Sequence, residues 1–198
     1  MVKRYDCLKI LASGITDELV VANLGGATNE WHALCPRDSN LYLMGMGLVT
    51  ATGLGLALAL PHRRLLALEG DGSLLMGLSI LPAVAKSRPK NLSIICFDNE
   101  SYYAAGGYPT FTADTADLAG IAKGAGIKHV SSVDSLDHFQ KALEAAQKED
   151  GPHFLLVKSE KSDADVPYPS MQGVENKYHF VRYIERTEKV TILPAAVP

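Results

Sequence analysis

Short apolar segments recur along the chain, and each is bounded by glycine, proline or charged residues. Most of them are continuous runs rather than alternations of apolar and polar positions, as in LSIICFD at 92–98. Continuous apolar runs of this kind predict strands whose two faces are both buried. The predicted strands are 18–24, 40–45, 64–70, 92–98, 127–130 and 153–159.

Longer segments with helical periodicity separate these strands. At 135–150, Leu136, Phe139 and Leu143 recur at the spacing of one helix face, and polar residues fill the opposite face. Because strands and helices alternate, we expect right-handed crossovers and parallel strands. The sequence therefore predicts an α/β fold, a doubly wound parallel sheet with helices on both faces. The predicted helices are 26–35, 48–61, 73–87, 115–126 and 135–150.

The length of the chain suits one domain. With 198 residues, two separate cores would each be small, so we expect a single domain over residues 1–198. The pattern changes after Glu160, where prolines and aspartates precede a predicted helix at 174–186 and an apolar tail. We expect residues from about 161 to 198 to form a C-terminal extension that packs on the domain or on a partner.

Composition and charge narrow the class of protein. The formal net charge is -3 and the basic residues are scattered, so the sequence shows no footprint for nucleic acid or for a membrane surface. The apolar stretch 41–61 leaves thirteen residues between Gly47 and Pro61, fewer than the roughly 20 that a membrane-spanning helix needs. Asp6 and Lys9 interrupt the apolar run at the N-terminus, so no secretory signal is predicted and we expect a cytoplasmic protein.

The three cysteines indicate neither a disulfide framework nor a zinc site. Cys7, Cys35 and Cys96 are unevenly spaced and form no C-x-x-C pair. We expect them to be buried as small apolar side chains.

The segment EGDGS at 69–73 places a carboxylate between two glycines directly after a predicted strand. In doubly wound sheets, ligands bind beyond the carboxyl ends of the strands. The glycines allow the backbone to approach a ligand, and a helix that begins near Ser73 directs its positive end to the same point. These features predict a phosphate cradle. Because Asp71 would repel a bare phosphate, we expect a divalent cation between the two.

A second polar turn follows the next strand. Asn99 lies 28 positions after Asp71, about one strand-helix-strand unit, so the two residues can lie at neighbouring strand ends. The amide oxygen of Asn99 and the carbonyls of the turn that follows are ligands that Mg²⁺ accepts. The spacing therefore predicts one magnesium site built from both turns.

These motifs resemble those of the thiamine diphosphate enzymes. G-D-G-S followed by an Asn is similar to the motif that binds diphosphate and Mg²⁺ in that family, and M-G-M-G at 44–47 is similar to its G-x-M-G segment. DNESYYAAGGYPT at 98–110 resembles the sulfopyruvate and phosphonopyruvate decarboxylases in particular. The resemblance covers residues from about 15 to 160 and implies the diphosphate-binding domain of the family.

The resemblance also implies roles for individual residues. Mg²⁺ would be bound by Asp71, the side chain of Asn99 and the carbonyl of Ser101. Met46 would be the apolar wedge that bends the cofactor, and main-chain groups of Met44 and Met46 would hold its aminopyrimidine. Met44 departs from the family pattern, which has glycine there, and this leaves the shape of the pocket open. The residues implied to contact thiamine diphosphate are Gly25, Thr28, Met44, Met46, Gly70, Gly72, Ser73, Asn99 and Tyr102.

Two features of the loop at 98–110 keep alternative interpretations. Tyr102, Tyr103 and Tyr108 either shape a substrate pocket or serve as packing aromatics. Thr110 either reaches an anionic substrate or belongs to a turn that begins the next helix.

In the family, the glutamate that activates the cofactor belongs to a separate pyrimidine-binding domain. This chain has room for one such α/β layer, so the resemblance implies that an alpha-type partner subunit supplies the glutamate, and no catalytic residue is assigned here. A dimer of heterodimers, or a homodimer of this chain, is the expected assembly.

The function implied is that of a decarboxylase subunit that depends on thiamine diphosphate and Mg²⁺. Its substrate would be a 2-oxo acid, for example one with a second anionic group such as sulfonate or phosphonate. One alternative is an acetolactate synthase-like carboligase or a 2-oxo acid oxidoreductase subunit, although the lack of a cysteine cluster weighs against an iron–sulfur route. Another is a non-catalytic cofactor-binding module, which the absence of a pyrimidine-binding partner would favour.

Overall fold

The computed structural model describes residues 1–42, 45–169 and 172–193. Six strands form one sheet in the order β2-β1-β3-β4-β8-β7, and every neighbouring pair is parallel. A small antiparallel hairpin, β5 and β6, follows the fourth strand. The predicted fold class is confirmed. The strands are β1 (Leu19–Ala22), β2 (Asn40–Tyr42), β3 (Leu65–Gly70), β4 (Leu92–Asp98), β5 (Ser101–Tyr102), β6 (Tyr108–Pro109), β7 (His129–Val133) and β8 (His153–Lys158).

Helices cover both faces of the sheet, and the core divides accordingly into two apolar clusters. Successive residues of β4 show the division, because Ile94 and Cys96 belong to one cluster, whereas Ile95 and Phe97 belong to the other. This is why the central strands carry continuous apolar runs. The helices are α1 (Arg4–Gly14), α2 (Gly26–Leu34), α3 (Val49–Ala59), α4 (Asp71–Met76), α5 (Ile80–Ser87), α6 (Leu118–Gly124), α7 (Leu136–Lys148) and α8 (Gly173–Glu188).

The cysteines belong to these layers. Cys7 and Cys96 are buried, Cys35 is half-buried, and all three are free thiols. Burial raises the pKa of the Cys7 thiol to about 12. Cys7 and Cys96 therefore serve as small apolar side chains, as predicted.

The elements differ most from the predictions in three places. The strand expected at 127–130 begins at His129, because Ile127 donates its N–H to the carbonyl of Ala122 at 3.1 Å and closes the end of α6. The helix expected at 73–87 is two helices, α4 and α5, separated at 77–79. Helix α1 was not predicted, because Lys9 and Asp6 interrupt the apolar pattern; they pair with each other at 2.8 Å on its exposed side.

Within the part of the chain that the structure describes, no helix combines the length and the apolar character needed to cross a membrane.

The helix predicted at 174–186 is confirmed as α8, and it completes the outer strand β2. Asn176 is 2% exposed, and its side chain accepts the N–H of Tyr42 at 2.7 Å and donates to the carbonyl of Asn40 at 2.9 Å. One amide thus supplies the donor and the acceptor that another strand would supply. Residues 170, 171 and 194–198 of the expected extension lie outside the described residues.

Replacing Asn176 by alanine is expected to lower the free energy of unfolding by roughly 1–3 kcal/mol, because two buried main-chain groups of β2 lose their partners. Urea titration would measure this loss, and hydrogen exchange at the Tyr42 amide would report it locally. The exposed Gln172, which precedes the same helix, gives a control: Gln172→Ala should change neither quantity appreciably. Unchanged protection of the Tyr42 amide in Asn176→Ala would contradict this account of the edge.

Candidate functional site

A pocket opens where the carboxyl ends of β1, β3 and β4 meet. Parallel strands bring residues that are distant in sequence to this one edge, and eight of the predicted site residues line the pocket together. These are Met46, Gly70, Asp71, Gly72, Ser73, Asn99, Ser101 and Tyr102.

The remaining predicted residues lie elsewhere. Gly25 and Thr28 line a neighbouring apolar groove, whereas Gly26 and Ala27, between them in sequence, line the pocket itself. The hydroxyl of Thr28 donates to the carbonyl of Asn23, which turns the side chain back toward its own loop. Met44 lies outside the described residues.

Asp71 is the first residue of α4 and is 3% exposed. Its Oδ2 accepts the hydrogen bond that the hydroxyl of Thr110 donates at 2.6 Å, and the hydroxyl oxygen of Thr112 lies 3.2 Å from the same Oδ2. Burial raises the pKa of the Asp71 carboxyl, the hydrogen bond from Thr110 opposes that rise, and the charge of Asp98 adds to it. A carboxylate held in such a place favours a cation beside it.

The turn after β4 is fixed by two hydrogen bonds from main chain to side chain. The N–H of Glu100 donates to Oδ1 of Asp98, and the N–H of Ser101 donates to Oδ1 of Asn99, each at 3.1 Å. Glu100 has a φ of 59°, the left-handed conformation that makes the turn sharp. The amide oxygen of Asn99 has two lone pairs and retains one for another ligand.

Lys158 balances the negative charge behind this turn. Its Nζ lies 2.7 Å from Oδ2 of Asp98 and 3.1 Å from Oε1 of Glu100. Asp98 is therefore engaged behind the pocket, whereas Asp71 lines the pocket itself.

Glu69 connects the two glycine-rich turns, a role that its sequence position did not indicate. It is 1% exposed, and its Oε2 accepts the N–H of Thr50 at 3.2 Å and the hydroxyl of Thr50 at 3.0 Å. Burial raises the pKa of Glu69, and hydrogen bonds from Ser73, Gly70 and Thr50 oppose the rise. Ser73 in turn accepts the N–H of Gly47 through its Oγ at 2.9 Å. The turn that carries Met46 is thus held against the start of α4.

The ring of Tyr102 packs against Gly72. A Cβ added at Gly72 would clash with Cδ1 and Cε1 of this ring, so the position accepts only glycine while the ring stays in place. Tyr102 and Tyr103 line the pocket, whereas Tyr108 is 72% exposed and does not. That Tyr102 and Tyr103 shape a substrate pocket stays a prediction.

Arg4 lines the same pocket, although no sequence pattern pointed to it. Its guanidinium forms a two-bond pair with Glu30, at 2.8 and 3.0 Å, and contacts Oδ1 of Asp163 at 2.5 Å. The N–H of Ala164 donates to Oε1 of Glu30 at 2.8 Å. These partners are 26, 159 and 134 positions apart, so only the folded chain reveals the cluster.

The donor set fits a hard cation bound together with phosphate oxygens. The pocket offers the Asp71 carboxylate, the Asn99 amide and main-chain groups, which are ligands typical of Mg²⁺. Across residues 1–42, 45–169 and 172–193, no group of three or more His, Cys, Asp or Glu side chains is placed to hold a metal ion.

Comparison with known proteins gives consistent matches. The family described as "Thiamine pyrophosphate enzyme, C-terminal TPP binding domain" matches residues 26–157. The chain is 32% identical over 184 residues to the sulfopyruvate decarboxylase subunit beta of Methanococcus maripaludis, covering 92% of this chain and 98% of that one. It is 36% identical over 145 residues to the phosphonopyruvate decarboxylase of Streptomyces viridochromogenes, covering 73% of this chain and 36% of that longer protein.

Among solved structures, the fold matches benzoylformate decarboxylase from Polynucleobacter necessarius with a TM-score of 0.68 and 17% sequence identity. The match covers 82% of this chain and 34% of that chain, so this chain spans about a third of the solved protein. At this identity the likeness concerns the fold alone.

Proposed function

This chain belongs to the thiamine pyrophosphate enzymes, as a C-terminal TPP binding domain, and from that membership we propose that it is the diphosphate-binding subunit of a 2-oxo acid decarboxylase. The observation that carries the proposal is the convergence of Asp71 with the Asn99–Ser101 turn in one pocket. The names of its relatives, sulfopyruvate and phosphonopyruvate decarboxylase, support a carboxy-lyase whose substrate has a second anionic group.

In this proposal the chain anchors the cofactor through its diphosphate. Asp71, the Asn99 side chain and the Ser101 carbonyl bind Mg²⁺, and the Gly70–Ser73 turn provides the close main-chain approach for the phosphates. Gly26 and Ala27 are better placed than Gly25 and Thr28 to contribute N–H groups from the start of α2, because they line the pocket. Met46 is half-buried at the same pocket and would be the apolar support for the bent cofactor.

When bound, thiamine diphosphate supplies the electron sink for the electrons released with CO₂. The residues of this chain bind and orient it, and Tyr102 and Tyr103 limit the access of water along one wall of the pocket. We assign no proton-transfer residue to this chain. The activating glutamate would belong to a pyrimidine-binding alpha-type subunit, and the word "beta" in the name of the methanogen relative supports a two-subunit enzyme.

Calorimetric titration of the full-length chain with thiamine diphosphate, with and without Mg²⁺, tests the cofactor proposal. Saturable binding that requires Mg²⁺ is the expected result. The partner subunit that co-purifies with the chain would then be added, and release of CO₂ from sulfopyruvate, phosphonopyruvate and pyruvate would be compared. We expect one of the two dianionic acids to be preferred. Failure to bind the cofactor even with the partner subunit present would overturn the proposal, and preference for pyruvate would overturn the substrate class.

Gly72→Ala is expected to weaken binding of thiamine diphosphate about tenfold or more, because the added methyl group forces Tyr102 out of its place against α4. The double variant Gly72→Ala/Tyr102→Ala should recover part of the affinity, since the clash is gone. Gly55→Ala is the matched control. It lies on the exposed side of α3 with open space around a Cβ, so binding should be unchanged and stability higher by about 0.5–1 kcal/mol. Equal affinity in Gly72→Ala and wild type would contradict the close approach.

A further inference from the structure

We propose that Thr110 and Thr112 are positioning residues that fix the Asp71 carboxylate and lock together the two turns that bear the metal ligands. The inference rests on the proposed function, because it concerns the same cofactor site. It gives Thr110 a role that neither of the two sequence interpretations contained.

The hydrogen bonds select one oxygen of Asp71. Both threonine hydroxyls approach Oδ2, at 2.6 Å from Thr110 and 3.2 Å from Thr112. Among the described residues, no side chain donates a hydrogen bond to Oδ1, and the main-chain N–H of Gly72 is the other donor to this carboxyl, so Oδ1 is the oxygen that we assign to the cation. A carboxylate with one oxygen held has a defined rotamer, so less conformational entropy is lost when a metal binds.

The same two residues also contact the second turn. Thr112 donates to Oδ1 of Asp98 at 2.7 Å, and this oxygen also accepts the N–H of Glu100 at 3.1 Å. The N–H of Thr110 donates to the carbonyl of Glu100 at 3.2 Å. Asn99 lies between Asp98 and Glu100, so the threonines hold both neighbours of a proposed metal ligand.

The two threonines are buried, whereas the residue between them is exposed. Thr110 and Thr112 are 4% and 8% exposed, whereas Phe111 is 69% exposed. A segment that turns two hydroxyls inward and leaves a phenyl ring in solvent is not arranged for hydrophobic packing. The two hydroxyl oxygens are 2.9 Å apart, so the inward side chains form a continuous polar contact between Asp71 and Asp98.

The expected effect is on metal affinity. Groups that orient metal ligands typically change affinity by roughly 10–100-fold when removed. Thr110→Val keeps the shape of the side chain and removes its hydroxyl, so we expect the apparent affinity for Mg²⁺ to fall by about 10-fold or more. Thr110→Ser keeps the hydroxyl and should remain within about threefold of wild type, because the hydrogen bond to Asp71 can still form.

The experiment uses the full-length chain with thiamine diphosphate and Mn²⁺, whose free concentration is followed by electron paramagnetic resonance. Wild type, Thr110→Val, Thr110→Ser and Thr110→Val/Thr112→Val are compared, and Thr115→Val provides an identical substitution at an exposed position of the same loop. The metal-free melting temperature of each variant is measured alongside. A positioning role predicts weaker Mn²⁺ binding in the valine variants, recovery in Thr110→Ser, and cofactor binding restored by saturating metal.

Three results would overturn claims at different levels. If wild type binds Mn²⁺ with the cofactor and Thr110→Val binds it equally well, the positioning role is wrong and the proposed function stands. If wild type itself binds no Mn²⁺ in the presence of thiamine diphosphate, the proposed cofactor site is wrong. Thr110→Val could also have a lower melting temperature than wild type without metal and recover no cofactor binding at saturating Mn²⁺. This result would show that Thr110 has a structural role only.

Discussion

Replacing Asp71 by alanine is expected to abolish Mg²⁺-dependent binding of thiamine diphosphate, with a loss of at least about 100-fold in affinity. Asp71 lines the pocket, and the other two proposed metal ligands from this chain, the Asn99 amide and the Ser101 carbonyl, are neutral. Asp71→Asn should lose nearly as much, because the amide keeps the shape and removes the charge. Calorimetric titration with the cofactor, at several Mg²⁺ concentrations, measures both variants.

The design of this comparison isolates the charge at one position. Asp114→Ala removes an exposed carboxylate from the loop that also carries Thr110, and its affinity should match that of wild type. Removing a buried carboxylate also relieves a desolvation penalty, so Asp71→Asn should fold at least as stably as wild type in the absence of metal. A variant that is stable and yet unable to bind the cofactor is the expected signature. Tight Mg²⁺-dependent binding by Asp71→Ala would show that the metal ligands lie elsewhere.

The second large effect is expected on stability. Arg4→Met should lower the free energy of unfolding by roughly 3–5 kcal/mol, because it leaves the Glu30 carboxylate buried without its cation. The side chains of Arg4 and Glu30 are 8% and 1% exposed, so solvent cannot replace the lost pair. Urea unfolding followed through Trp31 measures this change, since the fully buried indole is the only tryptophan and is adjacent to Glu30 in sequence.

Two further variants test whether the loss of stability comes from leaving one buried charge without its partner. Arg4→Met/Glu30→Leu should recover most of the stability, because apolar replacements of both partners leave no buried charge. Lys141→Met breaks an exposed pair in which both side chains are 70% exposed, and should cost at most about 0.5 kcal/mol. If Arg4→Met and Lys141→Met cost the same, burial does not govern the pair and this account fails.

Features that depend on local sequence patterns could be predicted from the sequence, whereas most contacts between residues far apart in the chain could not. The strands of the sheet were predictable because burial on both faces requires continuous apolar runs, as in β4. The meeting of Asp71 with Asn99 was predictable because parallel neighbouring strands end at one edge, and both residues do line one pocket. Helix α1 was not predicted because Asp6 and Lys9 interrupt its apolar pattern. Which of its residues are buried is evident only from their packing in the folded protein.

The groups that orient the site were not predictable. Thr112 reaches Asp98 across 14 positions and Asp71 across 41, and these contacts depend on how the loop folds back after β5. Glu69, near the end of β3, accepts the hydroxyl hydrogen bond of Thr50, which lies 19 positions earlier at the start of α3. In each case the residue types are ordinary in loops and strand ends, and no periodicity marks them. The offset from Gly25 to Gly26 at the pocket likewise depends on where α2 begins.

The N-terminal segment is joined to the segment that follows β8 through main-chain hydrogen bonds, and this has a consequence for the chain during its synthesis. The N–H of Val2 donates to the carbonyl of Lys158 at 3.0 Å, and the carbonyl of Val2 accepts the N–H of Glu160 at 2.9 Å. The outer edge of β2 likewise obtains its hydrogen-bond partners from Asn176, which is synthesised much later than β2. While residues 158–176 are still inside the ribosome, the emerging chain exposes the open edge of β2. The main-chain N–H and carbonyl of Val2 also lack their hydrogen-bond partners at this stage. Such intermediates associate readily, so the late residues also determine how long the nascent protein needs protection.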